Sequence, residues 1–204
     1  MAHSVRSRIL QLVALLAVAL GGLFVSGATA SASIPTEKVL SYQFQWQANG
    51  YYCGPAAVRI ALTARGYTYS QSTLAAALGT TTNGTNSAAD TTRVLNNKGN
   101  TSFYETKWIP GSYATSTEKA RLKYDVTYDI PRGYPLVVNI VGTAVDTDGD
   151  AHSYSGGHYM TVVGYNNSGD IVKLADPADA NGYGWYWMTT NRLADWIALR
   201  GYSA

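Results

Sequence analysis

Gln47-Ala48-Asn49-Gly50-Tyr51-Tyr52-Cys53-Gly54-Pro55-Ala56-Ala57 is a turn followed by the start of a helix. Asn49-Gly50 is turn chemistry, because both residues tolerate the backbone angles that tight reversals need. Pro55 suits a first helical turn, where its missing N–H costs nothing. Ala56, Ala57, Ile60, Ala61 and Ala64 then recur with helical spacing and give a narrow apolar face, and Gly66 is a natural stop. Cys53 therefore stands at the helix entrance, where unpaired backbone N–H groups and the helix dipole favour a thiolate. It is the only cysteine of the chain, so it cannot form an internal disulfide. A buried cysteine packing as a small apolar residue is the plainer alternative.

Upstream, Tyr42-Gln43-Phe44-Gln45-Trp46-Gln47 alternates aromatic and amide side chains, the period of a strand with one wet face. Downstream, Ser70 is a good N-cap for a second helix ending at Gly79. Residues 80–86 are loop, a third helix covers 87–97, and a weaker fourth covers roughly 116–125. Beyond Pro135 the character changes. Leu136–Val141 is a β-branched run, and Tyr159–Tyr165 and Ile171–Ala175 are strands joined by the hairpin signal Asn166–Gly169. Tyr183–Met188 offers a further strand and Leu193–Arg200 a closing helix. Loops at 79–86, 108–116 and 142–156 are expected to border a groove. Helices first and antiparallel strands later predict an α+β domain of two packed halves.

A nucleophilic thiol needs a base within reach and a third group to orient that base. His158 follows Gly156-Gly157 and begins the strand 158–165. Asp176 ends the next strand, directly before Pro177. Pairing Gly164 with Asp170 across the hairpin turn sets His158 opposite Asp176, provided the register holds to within one residue. An oxyanion donor completes such a site. Gln47 lies six residues before Cys53 and is the candidate, with Gln43 and Gln45 as rivals on the same expected strand face. Asp179 could replace Asp176 but lies beyond Pro177. His152 falls in an acidic, flexible loop and is a poor base. Zinc on Cys53, His152 and His158 lacks ligand spacing. Asp146-x-Asp148-x-Asp150 begins like a calcium loop, yet Ala151 stands where the EF-hand needs Gly and Gly157 where it needs Glu, so a solvated acidic loop is expected. No metal or cofactor is called for.

Taken together, Gln47-x5-Cys53-Gly54-Pro55-Ala56-Ala57, Gly157-His158-Tyr159-x-x-Val162-Val163-Gly164-Tyr165 and Asp176-Pro177 resemble the papain-like bacteriocin-processing family (family 39 of the cysteine peptidases), in particular its stand-alone secreted branch. The resemblance runs over nearly all of residues 40–200. It implies a papain-like fold with an N-terminal helical lobe and a C-terminal antiparallel sheet lobe. Matched position by position, it implies Cys53 as nucleophile, His158 as base, Asp176 as orienting group and Gln47 as oxyanion donor. The family's transporter-borne members trim double-glycine leaders, whereas this chain reads as exported and shows no transporter segments, so that substrate is not expected. Gly156-Gly157 reads as a loop before the base, not as a cleavage site.

The chain has 204 residues, 46% of them hydrophobic and 14% charged. Such a length suits a single domain, and the apolar content excludes a disordered chain. Arg6 and Arg8 precede an apolar run from Ile9 to Leu20, followed by Ala28-Thr29-Ala30 and Ala30-Ser31-Ala32. A basic start, an apolar middle and a small-residue exit form a secretory signal peptide over 1–32, leaving 33–204 as the peptidase-like domain. With 15 Lys+Arg against 13 Asp+Glu, loss of Arg6 and Arg8 leaves a neutral domain. That gives no electrostatic case for nucleic acid or for an anionic membrane. The expected protein is a secreted, monomeric cysteine peptidase with a peptide or protein substrate and no stable membrane insertion after signal cleavage. An acyl transferase with the same triad, or a non-catalytic peptide or cell-wall binding module, are the alternatives.

Overall fold

The division into a helical first half and a β second half is the observed one. The computed structural model describes residues 33–204, and the signal segment expected over 1–32 lies outside them. A short β1 (Lys38–Val39) is followed by α1 (Cys53–Ala64), α2 (Gln71–Leu78) and α3 (Ala88–Lys98). After them come β2 (Thr106–Ile109), α4 (Ser116–Asp129), β3 (Leu136–Val145), β4 (Ala151–Asn166), β5 (Ile171–Ala175), β6 (Trp185–Thr189), α5 (Thr190–Ile197) and β7 (Arg200–Ser203). The strands form one antiparallel sheet in the order β2-β7-β3-β4-β5-β6, with β1 added against β4. One face of the sheet carries α1–α3 on Val137 and Tyr159. The other packs α4 and α5 around Met160, Val162, Leu174 and Trp196.

Small side chains bring α1 close to the sheet. Ala57 and Ala61 are fully buried, and the Ala57 carbonyl accepts a 2.8 Å hydrogen bond from the Thr161 hydroxyl on β4. That contact fixes where the first turn of α1, and hence Cys53, lies along the strand. Ser70 caps α2 by accepting from the Thr73 N–H at 3.1 Å, and Gly79 closes it at φ 69°, as the sequence predicts.

Four expectations need correction. Residues 42–47 form no strand. The segment is held by single contacts instead, such as Gln43 N–H to the Thr63 hydroxyl and Gln47 N–H to the Pro177 carbonyl. Alternation alone could not separate a laddered strand from an extended chain laid over side chains. Second, 142–156 is not a loop, because β3 and β4 continue as a hairpin to Val145 and Ala151. Gly142 and Gly157, at φ 89° and 90°, let the ladder slip by two residues there, from Ile140 opposite His158 to Gly142 opposite Tyr154, and resume. The glycines and acids that suggested a loop are thus bulge and turn residues. Third, the closing helix ends at Ile197, and Leu199 at φ 65° turns the chain into β7. Fourth, α4 runs to Asp129, beyond the expected 125. It starts from a Thr115–Glu118 capping box.

The inner side of α4 carries an acidic pair. Asp125 accepts from the Tyr202 hydroxyl at 2.7 Å, but the buried Asp129 Oδ2 has no partner. Burial, reinforced by the charge of Asp125, pushes the Asp129 carboxyl up to about 7. Because this value lies above the unfolded one, the fold holds the proton more tightly. The stability so gained is full below the ordinary carboxylate range and lost as pH rises through about 7. Asp129→Asn is therefore expected to stabilise the protein by about 2 kcal/mol at pH 8. The gain should shrink steadily toward pH 4. Thermal melts of both proteins across this range check it, and a pH-independent difference would contradict it.

Candidate active site

Cys53 is the first residue of α1, and the residue before it, Tyr52, makes no side-chain capping bond. A Ser or Asp at that position would occupy the first free N–H groups of the helix. Here they remain available, and Pro55 has none to offer. The backbone amides of Tyr159 and Gly54 favour the charged form of the Cys53 sulfur. Gly54 is required for close approach, since a Cβ there would overlap the Thr85 side chain of the 80–86 loop.

The hairpin brings His158 and Asp176 together, though not in the expected register. Gly164 pairs with Lys173 rather than Asp170, because the turn carries a 3₁₀ segment at Asn167–Gly169. A three-residue offset would turn His158 and Asp176 to opposite faces of the sheet. An irregularity between Val162 and Gly164 removes one residue of that offset, so that Val162 pairs with Leu174. The remaining offset is even, and the two side chains share a face. His158 Nε2 then donates to Asp176 Oδ1 at 2.7 Å. This leaves Nδ1 as the ring nitrogen free for Cys53, whose charged form the imidazole favours.

Both partners are buried, His158 at 3% and Asp176 at 0% exposure. Asp176 tolerates this because its oxygens accept four hydrogen bonds. Besides His158 the donors are the Tyr154 hydroxyl at 2.7 Å, the Tyr186 hydroxyl at 3.0 Å and the Ala178 N–H at 2.9 Å. Burial alone would raise the Asp176 carboxyl, but His158, Tyr154 and Ala178 together hold it below its ordinary value. Burial likewise opposes a charged His158. The hydrogen bonds and charges of Asp176 and Cys53 outweigh it and push the imidazole up to about 9. Burial would lift the Cys53 thiol, yet the His158 hydrogen bond and positive charge, aided by the two backbone amides, hold it below the ordinary thiol value. At neutral pH these directions favour a thiolate beside an imidazolium.

A family model described as "Peptidase_C39 like family" matches residues 39–204. The chain belongs to this family of cysteine peptidases. Among solved structures, the peptidase domain of Streptococcus ComA, a bi-functional ABC transporter involved in a quorum-sensing pathway, is similar with a TM-score of 0.52 at 18% identity, covering 80% of this chain and 97% of that one. A double-glycine-motif protease from an AMS/PCAT transporter, in complex with its leader peptide, gives 0.50 at 15% identity over 81% and 91%. Xylellain, a cysteine protease from Xylella fastidiosa, gives 0.54 at 12% identity over 84% and 86%. At these identities the shared property is the papain-like fold. No curated protein matches the chain in sequence.

The remaining expectations sort clearly on this C39-like scaffold. Gln47 Nε2 donates to the Asn49 carbonyl at 2.8 Å, which fixes the amide orientation and leaves a second N–H on the same nitrogen. Its Oε1 is buried without a partner. Gln45 Oε1 accepts from Gln71 Nε2 at 3.0 Å, and the Gln43 contacts run through its backbone. Asp179 is not the orienting acid, because its carboxylate accepts the N–H groups of Asn181, Tyr183 and Gly184 in the loop after Asp176.

His152 is not in a flexible loop but buried on β4, stacked on Tyr186 and 3.1 Å from Asp146 Oδ2. Asp146 itself is buried and accepts from the Asp148 and Asp150 N–H groups, so the expected solvated loop is an ordered turn. Among the described residues no group of three or more His, Cys, Asp or Glu is arranged to hold a metal ion. None of their helices is long and apolar enough to cross a membrane.

Tyr154 and Tyr186 were not singled out from the sequence. Tyr154 also stacks on His158, with ring centroids 4.0 Å apart. Its signal was parity, since residues 154 and 158 share a strand face, but the loop reading of 142–156 concealed it.

Proposed function

We propose that this C39-like peptidase is a secreted, monomeric hydrolase that cleaves a peptide bond through an acyl-enzyme on Cys53. The observation that carries the reading is the thiol at an uncapped helix N-terminus, held below its ordinary pKa by an imidazole that is hydrogen-bonded to a buried carboxylate. The Cys53 thiolate attacks the scissile carbonyl carbon, a C–S bond forms and the carbonyl electrons move to oxygen. The N–H of Cys53 and the second N–H of Gln47 Nε2 stabilise that oxyanion. The proton on His158 passes to the amine as the C–N bond breaks. Water then attacks the thioester, giving its proton to His158, and the thiolate leaves. Asp176 keeps Nε2 protonated so that Nδ1 faces the sulfur, and Tyr154 and Tyr186 hold Asp176.

A peptide substrate is in keeping with the leader peptide bound by the double-glycine-motif protease. Export rests on the signal-peptide pattern of residues 1–32. The test is incubation with unstructured peptides in ¹⁸O-labelled water, with and without hydroxylamine. Hydrolysis places one ¹⁸O in the new carboxylate, and hydroxylamine diverts part of the product to a hydroxamate. Products found only with an added amine would identify a transferase. Binding without products would identify a binding module.

A further inference from the structure

A cavity of about 240 Å³ opens beside Cys53, and Asn83, Thr85, Asn139, Gly157 and Arg200 are among its walls. Apart from the Cys53 sulfur at its edge, its polar groups are neutral, with the single exception of Arg200. This residue opens β7 opposite Ile109, and its guanidinium lies against Gly157, with Nη2 3.5 Å from where a Cβ would stand. Gly157 immediately precedes His158, so the cation sits next to the reacting groups.

Among the described residues no carboxylate forms an ion pair with Arg200, and its Nε is buried with no hydrogen-bond partner. Asp90, which acts on the same Tyr159 hydroxyl as Arg200, is already engaged. Its oxygens take Arg93 at 3.0 Å and the Ser87 hydroxyl at 3.2 Å. A partly buried guanidinium without a counter-ion is costly, and a planar fork of donors fits a carboxylate better than any other side-chain group.

We propose that this cavity is a specificity pocket in which Arg200 receives a carboxylate of the substrate, within a few residues of the scissile bond. The inference rests on the peptidase reading for its meaning but not for its test. A carboxylate can come from an Asp or Glu side chain or from the end of the peptide chain. The cavity walls suit either, because Asn83, Asn86 and Thr85 line it with neutral polar groups.

Binding is measured calorimetrically on Cys53→Ala protein, so that no turnover is needed. The probes are acetylated, amidated peptides carrying Glu or isosteric Gln at each position in turn, and a Gln peptide with a free C-terminus. One carboxylate position should bind about tenfold tighter than its neutral counterpart, the worth of a charge-assisted hydrogen bond. Arg200→Gln should bring that ratio close to one, and Arg200→Glu should shift the preference to Lys. The Gln variant carries the test if the Glu variant does not fold. A gain only at the free C-terminus would assign the carboxylate to the chain end.

Equal or absent binding of Glu, Gln and free-acid peptides would overturn the proposal, as would a preference that survives Arg200→Gln. An Arg200-dependent preference in a protein whose intact Cys53 cleaves none of these peptides would leave the pocket standing and refute the peptidase reading.

Discussion

Replacing Cys53 by alanine is expected to abolish cleavage, lowering kcat/KM by at least about 10³-fold, the scale seen when a covalent nucleophile is removed. Peptide affinity should stay within about threefold, because the sulfur contributes to bond making rather than to holding the substrate. The fold should survive as well. Alanine is a good helix former, and α1 is anchored by Ala57, Ile60, Ala61 and Leu62, all fully buried. Steady-state kinetics, calorimetry with the same peptides and a thermal melt together decide the matter. Activity and melting temperature falling together would indicate a packing residue instead.

The second large effect is expected at His158. Removing the imidazole takes away the proton carrier and the positive charge that stabilises the thiolate, so kcat/KM should fall by at least about 10³-fold. It also removes everything that His158 contributes against the burial of Cys53. In His158→Ala the thiol should therefore titrate at or above the ordinary value of about 8.5. His158→Gln is the necessary companion, since it can still donate to Asp176 and spares that buried carboxylate the loss of its principal partner.

In the unaltered protein the active form needs the thiolate, present above the depressed thiol pKa, and the imidazolium, present below about pH 9. The pH–rate profile should be bell-shaped, with its alkaline limb near 9. A profile still rising above pH 10 would contradict this assignment.

Much of this site could be read in the sequence because its parts are tied to local rules. Cys53 lies between turn residues and an alanine-rich helix, and Pro55 and Gly66 mark that helix almost to the residue. The hairpin from Tyr159 to Ala175 carries its own β-branched pattern and turn, so His158 and Asp176 fall at one end of neighbouring strands. Their facing could not be derived. The 3₁₀ turn at Asn167–Gly169 and the irregularity at Val162/Gly164 each shift the register, and neither changes the hydrophobic pattern that periodicity reads.

The same limit hid Tyr154, since glycines and aspartates in a bulged hairpin look like loop. Arg200 was concealed differently. Its role depends on β7 lying between β2 and β3, a pairing between segments far apart in the chain. Residues 42–47 show the reverse case, in which strand-like alternation came from an extended segment held by single side-chain and backbone contacts rather than by a strand ladder.

The central claim is that Cys53 and His158 form an ion pair in the resting protein. The rate of iodoacetamide alkylation at the single thiol, followed by intact mass from pH 4 to pH 10, tests it most directly when run beside His158→Ala. The account predicts fast modification well below the ordinary thiol pKa of about 8.5, and loss of that acid-side reactivity in the variant. Alkylation of the unaltered protein only at alkaline pH, or identical profiles for the two proteins, would contradict it.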